Sequence, residues 1–501
     1  MVTKTPSAVA GFDQIAMGGL PAGRSTLVTG TAGTGKTIFA LQFLLEGVRQ
    51  FGEPGVFVTF EERPDDLMEN VASFGWDLPA LVAAGKLAVV DASPEPGEMM
   101  IESGQYDLSA LLARVENAVR RVGARRVILD AIGALFPQFS DANVVRRELH
   151  RINAGLRRLE QTTIMTMERT DEDGRLGRFG VEEFVADNVV ILRNRLEMEK
   201  RRRTIEILKF RGAPHQKGEY AFTIEPEEGL TVIPLSATEL GQKSSGVRVS
   251  SGVPELDRMC GGGMYRDSII LVSGPTGTGK TLMVTQYVKA AIDAGQKALL
   301  FAAEESREQL SRNAASWGVD FERAEREGLL KIIARYPEVM GLEDHLLQMR
   351  RDIREFGPSR VAVDSMSAFE RVSTVKSFRE FVLGLTSHIK HLEVTGLFTN
   401  TTPILMGSET ITETHISTIT DTIILLRYVE MHAEIRRGLT VLKMRGTFHE
   451  KDIREYVIDG TGMRLLGPFT GVHGIISGAL SYTMAGERQR LGDMFGIDDE
   501  E

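Results

Sequence analysis

Short apolar runs rich in β-branched residues alternate along this chain with stretches in which apolar side chains recur every three or four positions. That is the pattern of strands alternating with amphipathic helices. In the first half, the runs at 25–29, 56–60, 87–91, 127–130 and 163–167 predict strands, and the spaced pattern at 38–48 predicts a helix. Strands that are apolar throughout, with helices between them, belong to a mostly parallel sheet covered on both faces. Three further runs, 188–193, 204–209 and 220–224, follow closely on one another and predict an antiparallel meander. The second half starts the same way, with a strand at 268–273 and a helix at 282–292.

The repetition extends to motifs. Gly30-Thr31-Ala32-Gly33-Thr34-Gly35-Lys36-Thr37 returns 244 positions later as Gly274-Pro275-Thr276-Gly277-Thr278-Gly279-Lys280-Thr281. Both match G-x-x-x-x-G-K-T between a strand and a helix. In that motif glycines let backbone N–H groups wrap phosphate oxygens, the lysine reaches the β- and γ-phosphates, and the threonine hydroxyl ligates Mg²⁺. ATP and Mg²⁺ are therefore the expected cofactors, with Thr37 and Thr281 as metal ligands. Later landmarks keep nearly the same spacing: Glu61-Glu62 and Glu304-Glu305 lie 243 apart, Asp130 and Asp364 lie 234 apart, and so do Lys209-Phe210-Arg211-Gly212 and Lys443-Met444-Arg445-Gly446. One domain has been duplicated. The expected boundaries are 1–234 and 252–467, joined by a polar linker over 235–251 and followed by a loop and acidic tail over 468–501.

Each landmark has a chemical reading. Glu61-Glu62 and Glu304-Glu305 end the strand after the P-loop helix, where a carboxylate can activate an attacking oxygen or, as for Glu304, join the metal shell. Helix N-terminal acids would look similar, but recurrence in both halves favours the functional reading. Asp130 and Asp364 close apolar strands at the sheet edge beside the phosphates, the Walker-B position. The Lys-x-Arg-Gly pairs, followed by His215 and Lys217 or by His449 and Lys451, supply cations that in a ring of such domains can reach a neighbour's γ-phosphate, although a solvated basic loop would look the same. Phe74 and Trp317 occupy matching places, as adenine-stacking or core aromatics. The basic run Lys200-Arg201-Arg202-Arg203 reads as a hairpin turn or a subunit surface.

Composition narrows the class. With 42% hydrophobic and 26% charged residues, the chain is an ordinary globular one in its make-up. A formal charge of −10 repels nucleic acid, which counts against a DNA or RNA motor. The single cysteine, Cys260, excludes an internal disulfide and reads as a buried apolar residue. No apolar run approaches the ~20 residues of a membrane span and the N-terminus has no signal-like core, so the expected location is the cytoplasm.

The repeat fails at one informative place. Thr412 to Asp421 aligns with Arg178 to Asp187, and where the second half carries Ser417 and Thr418 the first carries Glu183 and Phe184. Hydroxyls facing a neighbour's nucleotide can accept phosphate, whereas the first half can only hydrolyse ATP. A turn or helix cap rich in hydroxyls would have the same composition.

The paired P-loops, the Glu-Glu pairs, the Lys-x-Arg-Gly repeats and the run Thr-His-Ile-Ser-Thr-Ile-Thr-Asp-Thr-Ile-Ile-Leu-Leu closely resemble the KaiC family of circadian clock proteins, through both halves to about residue 460. The resemblance implies an α/β fold of two tandem RecA-like P-loop domains, mostly parallel sheet flanked by helices, assembled as a double-ring homohexamer with ATP between subunits. It implies a slow ATPase in the first ring, and an autokinase and autophosphatase in the second that acts on Ser417 and Thr418, with Thr412 nearby. Glu304 would activate the acceptor, with Glu305 beside it. Across subunits, Lys209, Arg211 and His215 would act in one ring, and Arg437, Lys443, Met444, Arg445, Thr447, His449 and Lys451 in the other. Ser73 and Trp317 would lie near nucleotide.

The sequence departs from the family at Ala213-Pro214, where the family tends to carry hydroxyls, and in the tail from Tyr482 onward, which lacks the look of the KaiA-binding segment. A KaiB-like partner for the first ring follows from the resemblance; KaiA-type regulation does not. The competing readings are a RecA-like ATPase dependent on nucleic acid, and a nucleotide-gated scaffold without phosphoryl transfer.

Overall fold

The computed structural model describes residues 2–93, 108–135, 142–172, 186–226, 228–234, 244–402, 416–431, 434–470, 472–473, 475 and 481–482. The chain forms two units, Met1–Thr238 and Glu239–Glu501. Thr412, Glu183, Phe184, most of the linker and the tail after 482 lie outside the described residues, as does the side chain of Ser417.

Each unit is built on a nine-stranded sheet. In the first, the P-loop strand Ser25–Gly30 lies between Thr162–Glu168 and Asn188–Glu197, parallel to both. Beyond Thr162–Glu168 follow Arg126–Asp130, Gly55–Thr59 and Leu87–Asp91, also parallel. On the other side Lys200–Phe210, Glu219–Glu225 and Gly229–Val232 complete an antiparallel meander. The second unit repeats this order, with Ile269–Gly274 between Thr395–Thr401 and Thr422–Met431, and Glu434–Met444, Arg454–Asp459 and Gly462–Pro468 as its meander. These are two RecA-like domains. Every residue of both P-loop strands is buried, as helices on both faces require.

Three sequence expectations need adjusting. The basic run is no turn: the hairpin reverses at Met198 and Glu199, both at positive φ, and Lys200 to Arg203 already lie in the next strand. The strand carrying Thr166 matches its counterpart at an offset of 233, since Gly30 pairs with Glu168 and Gly274 with Thr401. The end of the expected linker is folded structure of the second unit, where Arg248–Val249 pairs with Met264–Tyr265. The remaining strands lie within a residue or so of the apolar runs, except that the hairpin strands Asn188–Glu197 and Lys200–Phe210 extend four residues further toward their turn.

Each Walker-B strand opens with a buried arginine. Arg126 is fully buried, ion-paired to Glu53 at 2.8 Å, donating to the Phe43 carbonyl at 2.7 Å, and stacked on the Phe43 ring. Arg360 does the same job with neutral partners, the carbonyls of Ser250 and Tyr287 at 2.6 and 3.3 Å. Removing such a side chain leaves a cavity and an unpaired main-chain carbonyl in the interior. Arg126→Ala should therefore cost the first unit about 3 kcal/mol, and Arg126→Met, which keeps the volume, clearly less. Trp76 is buried in the first unit and Trp317 belongs to the second, so urea unfolding of a Trp317→Phe chain followed by Trp76 fluorescence reads this loss.

Candidate functional site

The P-loop helices Lys36–Phe51 and Lys280–Asp293 start without a side-chain cap, on Gly35 and Gly279 at φ 93°. The helices Arg307–Ser316 and Val375–His391, by contrast, are capped by the Ser306 and Thr374 side chains. An uncapped start leaves N–H groups and the positive dipole end available to an anion. Gly33 and Gly277 also sit at positive φ (72° and 80°), a conformation that side chains resist. A Cβ on Gly35 or Gly279 would lie 2.5 or 2.9 Å from the tip of Ile224 or Ile458, so the meander braces each loop from outside. The cradle has the backbone that phosphate binding requires.

The side chains fit as well. Lys36 donates to the Thr31 carbonyl at 2.9 Å, and Lys280 to the carbonyls of Gly274 and Pro275 at 2.8 and 2.9 Å, so both amines lie across the loop. Burial lowers the pKa of both lysines. Thr34 and Thr278 close the turns, each donating at 2.8 Å to the carbonyl three residues back. The Thr37 hydroxyl donates to Asp130 at 2.9 Å, and Thr281 to Asp364 at 2.7 Å. The other oxygen of each aspartate accepts from Thr166 or Thr399 on the neighbouring strand. Burial raises both carboxyls, and the two hydroxyls oppose that by favouring the charged form. Two hydroxyls and a buried carboxylate suit a hard cation such as Mg²⁺.

The acidic pairs divide by direction. Glu62 and Glu305 turn back to Asn70 and Asn313 on the following helices. Glu61 instead lines a cleft of about 810 Å³ with Thr31, Ala131, Glu168 and Glu172. It makes no hydrogen bond among the described residues, and burial, then Asp130 and Glu168, raise its carboxyl. Its counterpart Glu304 is held by two partners, accepting from Ser365 at 3.0 Å and from Arg371. The two halves thus carry the same residue in different surroundings.

The Lys-x-Arg-Gly cations lie elsewhere. Asn188 pairs with Phe210 and Thr422 with Met444, at the starts of strands parallel to the P-loop strand. Asn188 lies opposite Thr26 and Thr422 opposite Ile270, so at about 3.3 Å per residue the four steps to Gly30 or Gly274 put that edge roughly 13 Å from the start of the loop. Lys209 donates to the Ala186 carbonyl at 2.9 Å and Arg211 stands 3.5 Å from Asp187; Lys443 donates to Thr420 at 2.7 Å. Arg445 donates to the Thr418 carbonyl at 2.9 Å, in the short helix Ile416–Ile419. Thr418 is exposed. The segment expected to accept phosphate and these cations therefore share the edge opposite their own P-loop. His215 packs edge-on against Phe210 on that side, and burial lowers its pKa.

Arg437 stands apart from that group. It lies against Tyr428, whose hydroxyl donates to the Thr276 carbonyl at 3.2 Å, on the phosphate side of its own sheet. Trp317 ends the helix Arg307–Ser316, half-buried against the core, and exposed Ser73 donates to the Asn70 carbonyl at 3.3 Å.

Several residues escaped the sequence reading. Glu172 accepts from Thr31 of the P-loop and from the Asn194 amide at 3.2 Å, while Arg201 of the basic run donates to the Asn194 carbonyl at 2.8 Å and lines the same cleft. In the second unit buried Tyr456 donates to the Thr278 carbonyl at 2.5 Å. A helix long and apolar enough to cross a membrane is absent among the described residues.

Comparison with known proteins agrees with this geometry. The family model described as "ATPase: KaiC" matches residues 5–237 and 249–468. The circadian clock protein KaiC3 of Synechocystis sp. is 59% identical over 99% of this chain and 98% of its own length. The circadian clock oscillator protein KaiC of Thermostichus vulcanus is 56% identical over 98% and 94%, and that of Acaryochloris marina 53% over 100% and 96%.

With two complete cradles, each chain should bind two equivalents of ATP. Lys36→Ala or Lys280→Ala should each weaken one site by at least about 100-fold, on the scale of a lost charge-assisted contact to phosphate. Equilibrium binding of labelled ATP should fall from two equivalents to one, and to none in the double variant.

Proposed function

The chain belongs to the KaiC family of ATPases, and on that premise we propose that it is a clock-type autokinase and autophosphatase working as a double-ring homohexamer. The first unit hydrolyses ATP. The second transfers the γ-phosphate to Ser417 and Thr418 of a neighbouring subunit. A KaiB-like protein is the proposed partner of the first ring, and the cytoplasm the proposed location.

One observation carries the reading. Thr418 and the cations Lys443 and Arg445 lie at the sheet edge opposite their own P-loop. A domain so arranged presents acceptor and cations to a neighbour's nucleotide, as a head-to-tail ring of identical subunits requires. Phe448, on the loop after these cations, is 84% exposed, and a subunit interface would cover it.

In the second unit, the backbone of loop 274–281 and Lys280 hold the phosphates, and the Thr281–Asp364 pair would hold a magnesium ion, which would offset phosphate charge. The Glu304 carboxylate takes the proton of the acceptor hydroxyl as its oxygen bonds to the γ-phosphorus, and the bond to the β-phosphate oxygen breaks to release ADP. Lys443 and Arg445 reach the transferring group from the neighbour. In the first unit Glu61 deprotonates water in the same way.

A mixing experiment tests the direction of transfer. Lys280→Ala removes nucleotide binding but keeps the acceptor; Ser417→Ala with Thr418→Ala does the reverse. With radiolabelled ATP and Mg²⁺, neither chain alone should be labelled, whereas co-assembled rings should carry phosphate on Ser417 or Thr418 of the Lys280→Ala chain. Wild-type protein left unlabelled under these conditions would remove the kinase reading.

A pH profile tests the first unit. Glu61 works as a base only when ionised, and its pKa lies above the ordinary 4.5, so hydrolysis by a Lys280→Ala chain should decline on acidification while the pH is still above that value. Glu168→Gln removes one raising charge and should move this acid limb to lower pH. Glu61→Gln should lower the rate by about 100-fold or more.

A further inference from the structure

The chain enters the second unit through a side chain that grips the loop expected to act across subunits. Arg248 donates to the carbonyls of Cys260 and Gly263 at 2.7 and 2.6 Å, which fixes it to the unit's body. Its other nitrogen donates to the Thr447 hydroxyl at 2.6 Å, and the guanidinium lies 4.4 Å from the centre of the Tyr265 ring. Tyr265 in turn donates to the Gly446 carbonyl at 3.2 Å.

The first unit has the same device in simpler form. Lys4 stands 244 positions before Arg248, on the strand that opens the first unit. It donates to the carbonyls of Ala16, Met17 and Pro214, and so ties the body to the loop after its own Lys-x-Arg-Gly motif. Below both clamps a main-chain bond repeats, Gln216 to Ile15 at 2.8 Å and Glu450 to Met259 at 2.9 Å. The difference is chemical. A lysine is a point charge that holds carbonyls, whereas the arginine fork also reaches a loop side chain.

We propose that Arg248 is a positioning residue for the second unit's nucleotide site: it fixes loop 446–451 against the body and, through Thr447, sets where His449 and Lys451 stand toward the neighbour's ATP. This rests on the across-subunit reading above. Because Arg248 follows directly on the inter-domain linker, the point at which the chain enters the unit is also the point that holds this loop.

The test uses full-length rings with Lys36→Ala, so that only the second site binds labelled ATP, and reads affinity without requiring phosphoryl transfer. Arg248→Gln should weaken binding at this site about 5- to 20-fold, and Thr447→Val should act in the same direction. The double variant should be no weaker than the weaker single, because both break one contact. Where transfer is measured, the ATP KM should rise more than kcat falls.

Trp317 fluorescence reports whether the unit stays folded. Should Arg248→Gln unfold it, Arg248→Lys keeps the carbonyl contacts and should show a smaller loss. Unchanged affinity in a folded variant, or additive losses in the double, would overturn the proposal. Absence of phosphorylation in the wild type, with these affinity effects present, would count against the kinase reading and leave the clamp standing.

Discussion

Parallel strands have a direction, and that direction governs what each unit of this chain can do alone. The P-loop must follow the C-terminal end of its strand, because the uncapped helix that receives phosphate begins there. Thr418, Lys443 and Arg445 lie at the N-terminal end of the adjoining strands. Four steps of extended backbone separate the two edges, and no side chain spans roughly 13 Å. A site that needs both edges has to draw them from two molecules. On the proposed across-subunit reading, assembly is then a condition of the chemistry, where a self-contained site would gain from it only stability.

Within each unit the phosphate end is organised by one contact, Thr37 with Asp130 or Thr281 with Asp364. It joins the helix N-terminus to the Walker-B strand, and Thr166 or Thr399 ties the same carboxylate to the strand between them. Three neighbouring elements thereby converge on one buried charge. Burial favours the neutral acid while two donated hydrogen bonds favour the anion, so the carboxylate is kept ready for a cation by neighbours that cannot move independently.

Much of this was legible from residue patterns. Apolar runs located the strands, and the motif spacing exposed the duplication, because phosphate binding leaves little choice of residue type at fixed intervals. What escaped depended on tertiary register. Thr166 and Thr399 became recognisable as partners only when strand pairing showed that their offset slips to 233. Arg201 sits in a run that reads as a hairpin turn or a subunit surface, yet the hairpin reverses two residues earlier and Arg201 lines the cleft. Arg437 shares a charge and a sheet with Lys443, but strand polarity sends the two to opposite ends. Charge alone carries no information about which edge a residue occupies.

The two phosphate ends also show how duplicated scaffolds diverge without altering the cradle. Beside the first P-loop, Glu61 and Glu168 line a cleft together, and Glu172 bonds the loop itself. Beside the second, Thr401 stands where the first unit has Glu168, and Glu304 shares its charge with Arg371. Among like charges the Glu61 carboxyl holds its proton more tightly when it has one. Glu304, held by Ser365 and Arg371, is instead fixed in place beside the second cradle. The cradle is the same in both halves because phosphate contact constrains it; the carboxylates beside it carry no such constraint and differ in their partners.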